Sequence, residues 1–233
     1  MIKVQKFKDL GEMKISWLHA RYHFSFANYY NPNRMGFGQL LVVNDDIVRA
    51  GGGFDTHPHR DMEIITYVRK GAITHRDSEG NEGRTAAGDV QVMSAGTGVY
   101  HSEYNLESED TSLYQIWIKP YKKGVKPSWA AVKFPKNTSE DELPLLVSGR
   151  IEDSDKDVLH INQYASIYGG KIASCKSIKH RIKNQAYILV SDGEVKINGN
   201  LLRKGDACEV VDERYIEIKT VTHSEILLID VPE

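Results

Sequence analysis

Only two of the 233 residues are cysteine, Cys175 and Cys208, which excludes a disulfide framework and is too few for a cysteine metal clip. Both read as buried or reduced thiols. No apolar run approaches the roughly 20 residues that cross a bilayer, and the opening Met1-Ile2-Lys3-Val4-Gln5-Lys6 has no signal-peptide core. The expectation is a cytoplasmic protein with no membrane partner. Charge of one sign is missing too: 30 Lys and Arg stand against 32 Asp and Glu, so no global field draws the chain to nucleic acid. Helical periodicity is scarce, yet 40% apolar content excludes disorder, so the chain must build its core from something else.

What is present is a series of short β-branched and aromatic runs, at residues 39–43, 62–68, 90–93 and 113–118, separated by Gly, Asn and Asp. Asp77-Ser78-Glu79-Gly80-Asn81 has the chemistry of a hairpin tip. This pattern predicts an all-β protein of barrel or sandwich type. Residues 119–144 change texture, with Pro120, Pro127, Pro135 and Pro144 among lysines and then the acidic Glu140, Asp141 and Glu142, and they read as a linker.

An internal echo divides the chain. Tyr67-Val68-Arg69-Lys70-Gly71 followed by Ala87-Gly88-Asp89 is matched by Leu189-Val190-Ser191-Asp192-Gly193 followed by Lys204-Gly205-Asp206. In both, an apolar strand ends at a glycine able to take turn dihedrals and Gly-Asp opens the next strand. The expected organisation is an N-terminal barrel over 1–135 and a C-terminal barrel over 136–233.

The chemistry concentrates in two places. In Gly51-Gly52-Gly53-Phe54-Asp55-Thr56-His57-Pro58-His59 the histidines stand two apart, so an extended strand projects both imidazoles from one face. Gly96-Thr97-Gly98-Val99-Tyr100-His101-Ser102-Glu103 repeats the device with a histidine and a carboxylate. Two such strands facing each other inside a barrel would make a site of three nitrogens and one oxygen. That donor set suits iron, manganese, nickel, copper, zinc or cobalt and disfavours calcium and magnesium. Four protein ligands leave positions open on an ion that prefers five or six, as a catalytic site requires.

These stretches resemble the two motifs of the cupin superfamily, with Gly51, His57, His59, Glu63, Gly88, Gly96, His101 and Asn105 supplying the matching residue types. The departures are specific. Counting back from Gly71 puts the usual cupin glutamate at Ile64, so Glu63 lies one step off and turns to the other face. Ser94 replaces the motif proline, and two residues are inserted between Gly96 and His101. With Glu103 supplying the missing carboxylate, the pattern looks like that of the pirin family of bicupins. Further likeness runs through Arg21-Tyr22-His23-Phe24-Ser25-Phe26-Ala27-Asn28-Tyr29-Tyr30, Ser94-Ala95-Gly96-Thr97-Gly98 and His101-Ser102-Glu103-Tyr104-Asn105.

The resemblance implies two tandem antiparallel β-barrels (double-stranded β-helices) packed face to face, with few short helices. It implies one metal, Fe(II) first, held by His57, His59, His101 and Glu103. Counting from Gly193 puts Lys179 and Arg181 where His57 and His59 stand, and counting from Gly205 puts Ile218 and Thr220 at His101 and Glu103, so the second barrel should carry no metal. Bacterial pirins of this type resemble quercetin 2,3-dioxygenases, which implies an oxidoreductase that cleaves a flavonol such as quercetin with dioxygen and releases carbon monoxide. The partners expected are a small aromatic substrate and dioxygen, on a monomer, with Glu103 as ligand and as the base that takes the substrate proton. The alternative class is a non-enzymatic, metal-binding regulatory cofactor that contacts a protein partner, as eukaryotic pirins do. Tyr22, Phe24, Phe26, Met93 and Tyr114 are candidates for the pocket wall or for plain core. His19, His23 and His75 are outside the motifs, with His23 a candidate for the cavity mouth, and His160, His180 and His223 are expected at the surface.

Overall fold

The computed structural model describes residues 1–134 and 136–233. Pro135, one of the four linker prolines, lies outside them. The chain divides into two compact units, Gly11–Phe134 with Leu159–Gln163, and Met1–Leu10 with Pro135–Val158 and Tyr164–Glu233. Two stretches therefore stand across the boundary expected at 135/136. The opening strand β1 (Ile2–Gln5) is one of them, because it pairs with a strand near the C-terminus.

Between them the first unit holds β2 (Gly11–Lys14), β3 (Leu18–Tyr22), β4 (Leu40–Val48), β5 (Gly53–His59), β6 (Glu63–Lys70) and β7 (Ala72–Asp77). It continues with β8 (Glu82–Ala86), β9 (Val90–Ser94), β10 (Val99–Tyr104), β11 (Thr111–Ile118) and β12 (Ser128–Val132). The second unit contains β13 (Leu145–Ser148), and after β14 (Leu159–His160), which belongs with the first, it resumes with β15 (Ser166–Ile172) and β16 (Ser177–Arg181). It ends with β17 (Gln185–Asp192), β18 (Glu194–Ile197), β19 (Asn200–Arg203), β20 (Ala207–Val210), β21 (Tyr215–Thr220) and β22 (Ser224–Val231). Among the described residues, helix is confined to the 3-10 turns Phe7–Asp9 and Ile151–Asp153.

In the first unit a sheet ordered β12-β9-β6-β11-β4-β3-β2 faces a four-stranded sheet ordered β5-β10-β7-β8. In the second the orders are β1-β20-β17-β22-β15-β13 and β16-β21-β18-β19. The strand orders of the two units correspond around β9-β6-β11-β4 and β20-β17-β22-β15, and the echoed glycines show why. Gly71 and Gly193 both hold a positive φ, +74 and +82, and at each a Cβ would stand 2.4 Å from the hydroxyl of the residue that opens the returning strand, Thr111 or Ser224. No side chain fits there, so the same glycine sets the same hairpin twice. The linker expectation needs one correction. Residues 128–132 form β12, an edge strand on β9, because Trp129 on that strand finds an aromatic partner inside the first unit.

The cores differ in kind. The second unit is filled by the aliphatic side chains of Ile178, Ile182, Ile188, Val190, Val195, Ile197, Ile216, Ile218, Ile226 and Leu228. The first unit keeps polar groups inside: Thr66, His75, Gln91, His101 and Glu103 are all 3% exposed or less.

Candidate metal centre

The site grows from one ladder. β5 and β10 are neighbours in the four-stranded sheet rather than strands facing across the barrel, and His57 stands directly opposite His101 with His59 opposite Val99. Alternation along β10 buries Val99, His101 and Glu103 and leaves Tyr100 exposed, so histidine and glutamate do share the inward face. The ladder slips between His101 and Glu103, where Gly53 and Phe54 take over the pairing. Gly53 is required there, since a Cβ would meet the Glu103 carbonyl oxygen at 2.5 Å. Asn105, fully buried, closes the end of the strand by donating from Nδ2 to the carbonyls of Val48 at 2.9 Å and Glu109 at 2.8 Å.

The three imidazoles meet. One nitrogen from each of His57, His59 and His101 lies within 4.8 Å of the others, the reach of a single ion. His57 donates its Nδ1 hydrogen to the Asp55 carbonyl at 2.7 Å, which leaves the Nε2 lone pair aimed into the site, 3.1 Å from Nε2 of His101. Burial, then His57, His59 and His75 around it, pushes His101 down to about 2. Burial and His57 push His59 down to about 4. Both rings are neutral at physiological pH, and neutral imidazole is the form that binds a metal. Closely set nitrogens without protons to share are poorly accommodated by one another and well accommodated by a cation, so the residues fit a divalent transition ion.

Glu103 lies deeper on the same strand. Its carboxylate groups within 4.8 Å of nitrogens of His101 and His75 rather than with the His57–His59–His101 cluster. It accepts hydrogen bonds from Gln91 Nε2 at 2.6 Å, Gln115 Nε2 at 3.0 Å and Thr66 Oγ1 at 3.3 Å, donors that come from β9, β11 and β6 of the opposite sheet. Full burial outweighs those bonds and pushes its carboxyl up to about 7. The group is thus poised between its two protonation states near neutrality.

Other residues singled out from the sequence fall as follows. Glu63 is buried on the face of β6 opposite to Thr66 and Ile64, and it accepts from Ser94 Oγ at 2.6 Å and Asn162 Nδ2 at 3.2 Å, so Ser94 replaces the motif proline as a partner for Glu63. Phe26 and Met93 flank the site through Trp117: Phe26 meets it edge-on at 5.4 Å, Trp117 meets His59 edge-on at 4.9 Å, and Met93 packs in the same cluster. Tyr22 packs on Phe26 at 5.4 Å. Strand alternation stops at Tyr22, and Phe24 lies instead under Arg34. Tyr114 is no wall residue, because it sits next to Gln115 on the opposite face of β11, beneath Arg69. His19 pairs with Glu12 at 2.7 Å, and His23 is core, 1% exposed and pushed by burial down to about 3, not at a mouth.

Sequence reasoning missed His75, Trp117 and Trp129. His75 is fully buried, stacked on Trp129, 2.9 Å from Asp77 and 3.4 Å from His101. The signal was available: His75-x-Asp77 is a same-face pair of the kind that flagged His57 and His59. The tryptophans carry no spacing signal of their own.

The count into the second barrel also changes. Lys179 and Arg181 are exposed, and the inward residues of that segment are Ile178, His180 and Ile182. Four residues after the shared glycine, His75 pairs with Glu103 and Ile197 pairs with Ile218. Two steps on, His101 pairs with His57 and Ile216 pairs with His180. His180 therefore stands where His57 does, with Ile216 and Ile218 at the places of His101 and Glu103. The two residues inserted after Gly96 displaced the count to His101 and Glu103, and one extra residue between His57 and Gly71 displaced the count to His57. His180 is half-buried against Tyr168 rather than a surface residue, and burial lowers it to about 4, whereas His160 and His223 are exposed. Cys175 is exposed and Cys208 buried, both free.

Two stacked-sheet units with a duplicated plan, one carrying a histidine cluster at the inner face of its small sheet, define a bicupin with a candidate metal site. The family follows from comparison. The pirin model matches residues 3–118 and the model for the quercetinase C-terminal cupin domain matches 145–231. The chain is 44% identical to the pirin-like protein of Caulobacter vibrioides over 99% of both chains. It is 41% identical to the quercetin 2,3-dioxygenase of Escherichia coli K12, over 100% of this chain and 99% of that one. The crystal structure of the Escherichia coli bacterial pirin YhhW in complex with nickel(II) aligns with a TM-score of 0.92 at 40% identity, covering 100% of this chain and 99% of that chain. This chain belongs to the pirin family. Among the described residues no helix is long and apolar enough to cross a membrane.

Proposed function

We propose that the protein is a metal-dependent dioxygenase that opens the central ring of a flavonol such as quercetin with dioxygen and releases carbon monoxide. The observation that carries the reading is the convergence of His57, His59 and His101 within 4.8 Å on a chain that matches a named quercetin 2,3-dioxygenase from end to end. The metal set is His57, His59, His101 and Glu103, with Fe(II) as the resident ion and nickel, copper, manganese, zinc or cobalt able to take its place. The N-terminal unit holds the ion and the C-terminal unit holds none, since Ile216 and Ile218 offer no donor.

A divalent ion held by these residues would supply Lewis-acid and redox chemistry to the reaction. The rest is done by the chain. Trp117 and Phe26 offer an aromatic wall beside His59 against which a flat ring system stacks. Glu103 takes the proton of the substrate hydroxyl at a carboxylate oxygen. Gln91 and Thr66 donate to one of its oxygens and Gln115 to the other, which orients the carboxylate and stabilises the ionised form. The reading places this reaction in a cytoplasmic monomer without a nucleic-acid partner, in keeping with 30 basic against 32 acidic residues.

The test is to load the protein with iron, copper or nickel, offer quercetin in air, and follow carbon monoxide release with loss of flavonol absorbance. Turnover is expected, and silence with every ion would remove the enzyme. In parallel His101→Ala should sharply lower the metal content of freshly purified protein, and unchanged content would overturn the site.

A further inference from the structure

We propose that Asp77 and His75 form a two-step hydrogen-bond relay that fixes the tautomer of His101, holding its hydrogen on Nδ1 so that the Nε2 lone pair faces His57 and His59. The proposal rests on the metal-site reading and assigns to His75 and Asp77 a positioning role.

The chain of donors runs one way. Asp77 is an acceptor tied down from several sides: its carboxylate takes the backbone N–H groups of Glu79 and Asn81, each at 3.0 Å, and Nδ2 of Asn81 at 3.0 and 3.2 Å. With its side chain only 1% exposed it cannot turn away, so Nε2 of His75, 2.9 Å off, is the donor between them. A neutral imidazole that donates from Nε2 accepts at Nδ1. Nδ1 of His75 faces Nδ1 of His101 at 3.4 Å, and the hydrogen between those nitrogens must therefore belong to His101. His101 is left with a bare Nε2, 3.1 Å from Nε2 of His57. His57 obtains the same result more simply, by donating Nδ1–H to Asp55 O at 2.7 Å.

The relay is also clamped. His75 lies flat on Trp129, the planes 7° apart and the centroids 5.0 Å apart. Trp129 can lie there because the residue opposite His75 in the β7–β8 ladder is Gly83, where a Cβ would stand 2.1 Å from Cη2 of the indole. Three strands thus contribute to the angle of one ring: Asp77 and His75 on β7, Gly83 on β8, Trp129 on β12. Ligand histidines are commonly oriented by such an outer partner, whose removal weakens metal binding by about 10- to 100-fold.

The experiment is carried out on full-length protein labelled with 15N at histidine and stripped of metal by a chelator. Two-bond 1H–15N spectra report which ring nitrogen of each histidine carries hydrogen. In the wild type His101 should show the Nδ1–H tautomer, and an Nε2–H signal would overturn the relay without any variant being made. His75→Phe keeps a ring on Trp129 but removes the acceptor: His101 should shift toward Nε2–H and the Kd for Zn(II) should rise by about 10- to 100-fold. His75→Asn, whose Oδ1 can accept where Nδ1 did, should restore the tautomer and most of the affinity. An unchanged His101 signal in His75→Phe sinks the relay alone. Unchanged Zn(II) affinity in His101→Ala sinks the metal-site reading instead, while the tautomer measurement still stands.

Discussion

Glu103 gives the most quantitative handle on the barrel interior. A carboxyl whose ordinary value is 4.5 is pushed by burial to about 7 in the folded protein. The native state therefore keeps a proton that the unfolded state has released anywhere between those two values. The sign follows: this group's contribution to stability is whole below pH 4.5 and is lost as pH rises through 7. At about 1.4 kcal/mol for each tenfold change in proton affinity, the loss comes to about 3 kcal/mol by pH 8. His59, His101 and His23 act in the opposite sense, since their lowered values give stability that is present above pH 6.5 and lost in acid. Subtracting a Glu103→Gln variant cancels them. The stability of metal-free wild type minus that of Glu103→Gln should fall by about 3 kcal/mol between pH 4.5 and pH 8. Urea unfolding in the presence of EDTA, followed by tryptophan fluorescence, measures it. Trp17, Trp117 and Trp129, the only three tryptophans, all lie in the first unit, so the signal reports the unit that contains Glu103. A difference that is flat with pH, or that grows with it, would refute the claim that desolvation dominates over the bonds from Gln91, Gln115 and Thr66.

Two further outcomes test the packing and the register. Gly83→Ala should force Trp129 off His75, costing about 1–3 kcal/mol in urea unfolding and weakening Zn(II) binding, while a variant as stable and as tight as wild type would show that the stack is incidental. The double substitution Lys179→His with Arg181→His should leave the metal content per chain unchanged by elemental analysis, because both positions point outward, and a gain of an ion there would mean that the ladder register of the second barrel is misread.

Much of the site was legible because it is built from strand alternation, which spacing in the sequence reports directly. His57 and His59 share a face, as do His101 and Glu103, and the duplicated glycines mark two hairpins that admit no other residue. Four things were not legible, each for a physical reason. That His57 and His101 are ladder neighbours depends on strand order, which residue spacing does not encode. The position of Tyr114 depends on a parity that flips with one residue, and Phe24 lies past the point where β3 ends. The correspondence of the second barrel depends on loop lengths: counting residues carried the insertion after Gly96, and the extra residue between His57 and Gly71, into the wrong copy, whereas counting ladder partners does not. β12 was hidden in a proline-rich stretch because an edge strand of five residues needs only one anchoring side chain, Trp129.

The comparison of the two barrels suggests why one of them alone has the chemistry. Carried across the ladders, His57, His101 and Glu103 correspond to His180, Ile216 and Ile218, on strands of the same order in sheets of the same plan. Each isoleucine fully buried in the second barrel stabilises it by about 1.5–3 kcal/mol relative to exposure. The first barrel forgoes that at His101 and Glu103 and buries His75, Gln91 and Gln115 with them, groups that cost stability unless every one is hydrogen-bonded. They are bonded mostly to one another: Thr85 to Gln91, Gln91 and Gln115 to Glu103, His75 to Asp77. The nitrogens left over are those of the histidine cluster, and the network that satisfies the rest is what keeps their lone pairs pointed at a common centre. On this view the polar interior is a scaffold for the cluster, and an ion, by binding the folded unit and not the unfolded one, returns stability that the missing isoleucines would otherwise have supplied.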